Sequence, residues 1–488
     1  QPSELWALLA HPQIDRAAVE EGLRKWRSLS WFLVEDPEAW QLGTTPNLTH
    51  MHVQAMGRLE EPEIIEELRA RVRRVSSLAA VDAGVEPHML PEHPRAVGDD
   101  VKLHYLVLGP ECAVDLGKPL PADVEAFFDQ VTGPQNPRTY RNNIVALAPE
   151  FSRLAGLREQ VRRLMGWERL DRPEIKRMLS DLQQRELARR KQEAANGLPE
   201  AVVAAYTVLV AVDEQGRVVA EGLRTAGPAN GTPFERVKTQ LAEEERLLTT
   251  TLDPELILPG SYLAIWREGD TARRIADLMA AFGQFPRLPR LLRPEALYET
   301  VTRGVRSGTL VVRLPRADGS ARTWWRIPPD EETLRRVDVE IQPASLAVLQ
   351  NLDASLLAPQ QLADWGSVKV LPVTLERVQA LFDGSRAPRL ANEDLLHEAL
   401  RNAVKQGLVM TVWSGEAFFK SPMPEGHLPA DLELRPAPEP IHGGDLTPST
   451  LPAAWTGQET TLAKLAKALV AARGCAVPWN LLAQAVNE

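Results

Sequence analysis

The sequence predicts an α+β, multidomain chain in which a helix-then-hairpin unit recurs, with a small α/β unit and a long helical segment inserted between copies. Three observations carry that expectation. The chain has 488 residues, more than one hydrophobic core ordinarily serves. A helical apolar spacing followed by two strand-like runs about a tight turn occurs three times. The composition, 44% hydrophobic and 25% charged, is that of folded protein, so the segments between the copies are expected to fold as well.

In the first copy, Val19, Leu23 and Trp26 keep helical spacing, and the helix ends on Arg24, Lys25 and Arg27. Two strand-like pieces follow, Trp31–Glu35 and Trp40–Thr44, split by Asp36-Pro37-Glu38. Val101–Leu108 and Asn143–Ala148 are apolar enough to be buried on both faces. With the helical segment Pro121–Val131 between them they read as a parallel α/β unit. Phe151–Ala195 is a long Arg-rich helical stretch, interrupted near Asp171-Arg172-Pro173. Val202–Val212 and Arg217–Leu223 form a hairpin across Asp213-Glu214-Gln215-Gly216.

The second copy places Leu297, Val301 and Val305 on one helical face, then Thr309–Leu314, the tip Ala317-Asp318-Gly319-Ser320, and Arg322–Ile327. The third opens on Asn392 as N-cap, runs through Leu395, Leu396, Ala399, Leu400 and Val404, and stops at Gly407. Its strands Leu408–Trp413 and Glu416–Lys420 flank Ser414-Gly415. Short helices at Thr271–Phe282 and Leu375–Phe382 precede these two copies. Helix, short connector and two-stranded wing are how a winged helix-turn-helix domain ends, so the units read as winged-helix-like. The expected organisation is a first such unit at 1–60, the α/β unit at 61–150, the helical segment as a spacer at 151–198, and the hairpin region at 199–260. A basic second unit follows at 261–330, a third at 331–430, and a Pro-rich linker (Leu434–Pro452) with a last helix (Thr460–Ala472) at 431–488.

The motif search excludes several chemistries. The one Gly-Lys pair, Gly117-Lys118, is followed by Pro119, so there is no phosphate-binding P-loop. There is no dinucleotide fingerprint, no His-Glu-x-x-His and no Gly-x-Ser-x-Gly. No cofactor and no catalytic residue is therefore assigned, and the chain is expected not to be an enzyme by itself. Cys112 and Cys475 are too few for a disulfide framework or a zinc site, which suits a reducing cytoplasm. No apolar run approaches the ~18 residues of a membrane span. The first residue is Gln1, and the chain is expected to be a piece of a larger protein. His50 and His52, on a strand, or His88 and His93 with Glu86, Glu92, Asp99 and Asp100, could assemble metal ligands. A solvated pair and a polar loop are the ordinary alternatives.

Net charge is −10, yet Arg273–Arg326 holds 11 basic residues against four acidic, and Ser152–Glu193 holds 12 against seven. A local basic surplus on an acidic chain points to a localised polyanion site. The candidate nucleic-acid contacts are Arg287, Arg290, Arg293, Arg303, Arg306, Arg316, Arg322 and Arg326, with Arg313 on the same hairpin. In a winged helix Arg303 and Arg306 would end the helix that enters the groove, and Arg316 and Arg322 would sit on the wing. Trp324 and Trp325 face opposite sides of the strand. Arg138 and Arg141, with Tyr140, Asn142 and Asn143, form a second candidate, set against local carboxylate pairing and a turn. In the third copy Arg389, Arg401, Lys405 and Lys420 are offset by Glu393, Asp394 and Glu398, which favours protein docking there.

Several stretches, taken in order and spacing, resemble a known family. They are Ala18–Gln54, Val107-Leu108-Gly109-Pro110-Glu111, and Pro137–Asn143 leading into Ile144–Pro149. The helix reaching Trp167, Leu198-Pro199-Glu200-Ala201, and Phe285–Leu291 complete them. The chain resembles the region that follows the nucleotide-binding module in large bacterial AAA-type ATPases encoded beside DNA methylases in restriction-like phage-defence clusters. The resemblance covers roughly Gln1–Asp330 and fails from Arg335 onward. It implies an ATPase module before Gln1 or on a separate chain, and a setting in which DNA is sensed or remodelled. The expected role is a non-catalytic accessory region that engages double-stranded DNA and other subunits of such a complex, with no membrane partner. The alternative is a structural adaptor whose units dock on protein.

Overall fold

The computed structural model describes residues 15–30, 33–35, 40–42, 47–224, 231–368, 372–456 and 460–487. They form a mixed α+β chain of two compact units, Gln1–Thr249 with Phe282–Arg293, and Thr250–Ala281 with Pro294–Glu488. Among the described residues no helix is long and apolar enough to cross a membrane.

Of the expected first copy, the helix Arg16–Leu29 and the antiparallel pair Leu33–Glu35 and Trp40–Leu42 are present. Its turn, Asp36-Pro37-Glu38, lies outside the described residues. The centre of this unit is a five-stranded sheet in sequence order: β1 (Val85–Met89), β2 (Leu103–Val107), β3 (Ile144–Pro149), β4 (Tyr206–Val212) and β5 (Val218–Gly222). β1, β2 and β3 are parallel, whereas β4 and β5 join antiparallel. The α/β unit and the hairpin region, expected as separate pieces, are therefore one sheet. Alternation of side chains across the strands divides the core. Tyr105, Val107, Val145, Leu147 and Leu209 face one layer, while Leu106, Leu108, Ile144, Ala146, Val208 and Val210 face the other with Phe127 and Phe128.

The Arg-rich segment is not a spacer. It folds as α1 (Phe151–Leu170) and α2 (Asp181–Asn196), broken at Pro173 as expected. Leu154, Leu157, Val161 and Leu164 recur at helical spacing, and that stripe is buried on the sheet's first face. The arginines lie on the solvated side in ion pairs such as Arg169–Glu63 at 2.9 Å and Arg190–Glu186 at 2.6 Å. Val202 proves to be helical, in α3 (Leu198–Ala205), which ends where β4 begins. His50 and His52 lie on the helix Leu48–Gly57, not on a strand. The His52 ring stacks on Trp167 at 3.6 Å and its Nε2 bonds the Arg163 carbonyl at 2.8 Å.

The second unit repeats one design. Its first copy has α4 (Glu295–Ser307), the hairpin β6 (Leu310–Pro315) and β7 (Ala321–Trp324), and a returning strand β8 (Glu340–Pro343). Its second has α5 (Asp394–Gln406), β9 (Met410–Trp413), β10 (Glu416–Phe418) and β11 (Glu433–Arg435). Both sheets have the same strand order, each edged by a two-residue strand, Arg273–Arg274 or Val373–Thr374. Both helices end on a left-handed glycine, Gly308 or Gly407.

A turn ahead of each copy is closed by an indole. Trp266 Nε1 donates to Ile257 O (2.7 Å) and Trp365 Nε1 to Leu356 O (3.0 Å), nine residues back in each case. Trp455 does the same to Leu446 O (3.0 Å). The stretch expected as a Pro-rich linker therefore starts a third occurrence. Its Ile441, Leu446, Leu451 and Ala454 are buried with α6 (Leu462–Arg473) and α7 (Trp479–Asn487).

Trp365 also packs edge-on against Trp325 (5.2 Å) and lies 5.3 Å from Phe382, joining the two copies. The outer edge of β7 is closed by side chains. Asn351 accepts from Thr323 N at 2.8 Å and donates to Thr323 O at 2.9 Å. Truncating Trp365 to Ala should lower the unfolding free energy by roughly 3–5 kcal/mol, read from denaturant melts. An effect under about 1 kcal/mol would contradict the central place given to this indole.

Candidate nucleic-acid interface

α4 buries Ala296, Leu297, Thr300, Val301, Gly304 and Val305, which turns Arg303 and Arg306 outward. Arg303 is tied down, donating to Leu252 O and, at 3.3 Å, to Thr251 Oγ1. Arg306, in the last turn, is exposed and has no hydrogen-bond or ion-pair partner among the described residues. On the hairpin, Arg313 pairs with Glu340 at 2.8 Å. Gly319, at φ +82°, lets the tip reverse, with Arg316 N bonding Ser320 O at 2.8 Å. The side chains of Arg316 and Arg322 are exposed, and Arg322 lies 4.9 Å over the Trp324 ring. The Asp318 carboxyl at the tip is held low, chiefly by the Ser320 hydroxyl bonded to it.

Three of the expected contacts are occupied by the fold. Arg290 is 1% exposed, and its guanidinium reaches Val212 O at 2.8 Å and Arg246 O at 3.5 Å. Burial pushes its pKa down to about 9, helped by the charge of Arg246. Arg138, 4% exposed, gathers the carbonyls of Pro94 (3.0 Å), Val97 (3.3 Å) and Gly98 (2.5 Å). Those carbonyls belong to the short crossover between the parallel strands β1 and β2, whose one helical turn is Pro94–Ala96. Neither side chain leaves surface for phosphate. Arg326, at φ +59°, lies against Gly308 at the C-terminus of α4, bonds Asp364 at 2.9 Å and covers Trp325. Lys420, at φ +50°, occupies the same place against Gly407. A cation at that point opposes the helix dipole, so both serve their own helix ends.

Of the rest, Arg141 pairs with Asp129, and Arg287 lies 5.8 Å from the Phe285 ring. The Arg293 side chain passes close to Gly84. Asn142, fully buried, donates to Phe282 O at 2.8 Å and Leu288 O at 2.9 Å, while Asn143 donates to Asp100 O at 3.2 Å. The segment 138–143 is thus an internal brace.

The loop weighed as a metal site holds a different arrangement. His88 Nε2 and His104 Nδ1 are 3.0 Å apart, and His104 Nε2 is 3.3 Å from Asp100. Among the described residues no group of three His, Cys, Asp or Glu is placed to hold a metal ion. Sequence reading missed His104 because it sits inside an apolar strand, four residues beyond Asp100 of the loop that drew attention. Burial lowers the pKa of His52, His88 and His104 below the usual 6.5.

Two outcomes follow. With folded-state pKa values below the unfolded one, the histidine contribution is fully present above pH 6.5 and is lost as pH falls below it. The denaturant midpoint should therefore drop between pH 7 and pH 5, and drop less in His104→Gln. Arg290→Met should lower the unfolding free energy by on the order of 1–3 kcal/mol, through carbonyls left without a donor. If Arg290→Met melts like the wild type, the brace assignment fails. Compared with protein-family models, with curated proteins and with solved structures, the chain matches none.

Proposed function

We propose that the chain is a non-catalytic accessory region that engages double-stranded DNA through the first copy of the second unit. One observation carries this reading. The last turn of α4 and its hairpin, at the tip and on the strand β7, present Arg306, Arg316 and Arg322 exposed, and none makes an ion pair among the described residues. In a winged helix these are the two places that meet adjacent phosphates. α4 opens with Glu295, whose carboxylate repels phosphate, so the proposed contacts lie at the other end of the helix and on the hairpin. An ATP-dependent phage-defence or DNA-processing complex as the setting rests on the family resemblance alone.

A second reading, a structural adaptor docking on protein, is favoured by the other copy. There Lys420 caps its own helix, Arg401 is turned onto Pro424 O at 3.1 Å, and Trp413 at the hairpin is exposed.

Fluorescence anisotropy on a 20-base-pair duplex separates the two. Three phosphate contacts give a slope of about −3 in log affinity against log salt. The triple variant Arg306→Glu, Arg316→Glu, Arg322→Glu should remove measurable binding without shifting the melting midpoint. Undiminished binding by a folded triple variant would sink the DNA reading, and absence of any duplex binding by the wild type would leave the adaptor.

A further inference from the structure

At the end of the sheet where β3 finishes and β4 begins, the first unit holds a cavity of about 650 Å³. Leu116, Val203 and Leu223 form much of its wall, and Glu150, Arg153, Arg236 and the solvent-exposed Glu200 supply its charge. The size is that of a small-molecule site, and the ends of strands in α/β sheets are where such sites form. Ser77 and Pro199 also line an adjoining cavity of about 300 Å³, so the space continues beyond the first chamber.

The four charged groups are not equivalent. Glu150 accepts from Ser152 Oγ at 2.6 Å and Thr207 Oγ1 at 3.0 Å, and pairs with Arg153 at 2.7 Å. Arg153 also donates to Ala204 O at 3.0 Å. These two satisfy each other. Arg236, on the helix Pro233–Glu243, makes no side-chain hydrogen bond or ion pair among the described residues, and its Nε is buried without an acceptor. A half-buried guanidinium beside an apolar cavity, with Glu150 already paired to Arg153 and Glu200 out in solvent, is a cation awaiting an anion.

We propose that this cavity binds a small organic anion, a carboxylate or phosphate monoester on an apolar body, with Arg236 holding the acid group. The assignment is independent of the DNA reading. Its probe is 1-anilinonaphthalene-8-sulfonate, titrated into the full chain by fluorescence. One saturable site is expected. Arg236→Met should weaken it by about tenfold or more, Arg236→Lys by less, and Val203→Trp should fill the cavity and abolish it. Because the Arg236 side chain bonds nothing among the described residues, Arg236→Met should melt at the wild-type midpoint, which separates lost binding from lost folding. Decanoate and decyl phosphate, added as competitors, identify which acid group is preferred by the lower displacing concentration. Unsaturable binding, affinity unchanged in both Arg236→Met and Val203→Trp, or displacement by neither competitor would overturn the proposal.

Discussion

Backbone carbonyls stranded where loops meet the core need donors, and in this chain long side chains supply them. Arg138 collects three carbonyls of the β1–β2 crossover, Arg290 reaches those of Val212 and Arg246, and Asn142 those of Phe282 and Leu288. In the second unit three indoles close three turns in the same way. An unpaired buried carbonyl costs on the order of 1–3 kcal/mol, and a guanidinium can satisfy two or three at once. The price is a buried charge, which the fold lowers in pKa and does not pair directly with a carboxylate at Arg290.

That constraint sorts the basic residues. Arg138, Arg290 and Arg326 are committed to buried carbonyls or to a helix end. Arg306, Arg316 and Arg322 are left to the solvent, and the polyanion reading rests on them. The same sorting isolates Arg236, which lies beside a cavity and whose side chain holds no carbonyl or carboxylate among the described residues. Two surfaces of different chemistry thus arise from one rule, because a guanidinium that the backbone does not engage remains available to a ligand.

Repetition organises the second unit. Trp266 and Trp365 stand 99 positions apart, and the helices and their left-handed glycines follow at the same distance. The copies share a frame and differ in surface. The first carries exposed arginines on its hairpin, and the second turns Trp413 outward there, with Lys405 exposed at the end of its helix.

The sequence alone determined the local elements, because periodicity and turn chemistry are local: the helices of both copies, the hairpin tips at Gly319 and Gly415, the break at Pro173, and the apolar strands β2 and β3. It determined that a helix-then-hairpin design recurs and where basic residues concentrate. Only the tertiary structure decided which strands share a sheet, that the Arg-rich helices lie on it, and that the Pro-rich stretch belongs to a small core. It alone separated Arg306, Arg316 and Arg322 from Arg138, Arg290 and Arg326. The physical reason is that an arginine looks the same in sequence whether its guanidinium meets water or a buried carbonyl. That choice depends on loops and strands distant along the chain, such as Val212 beside Arg290, and on which face the core has already claimed.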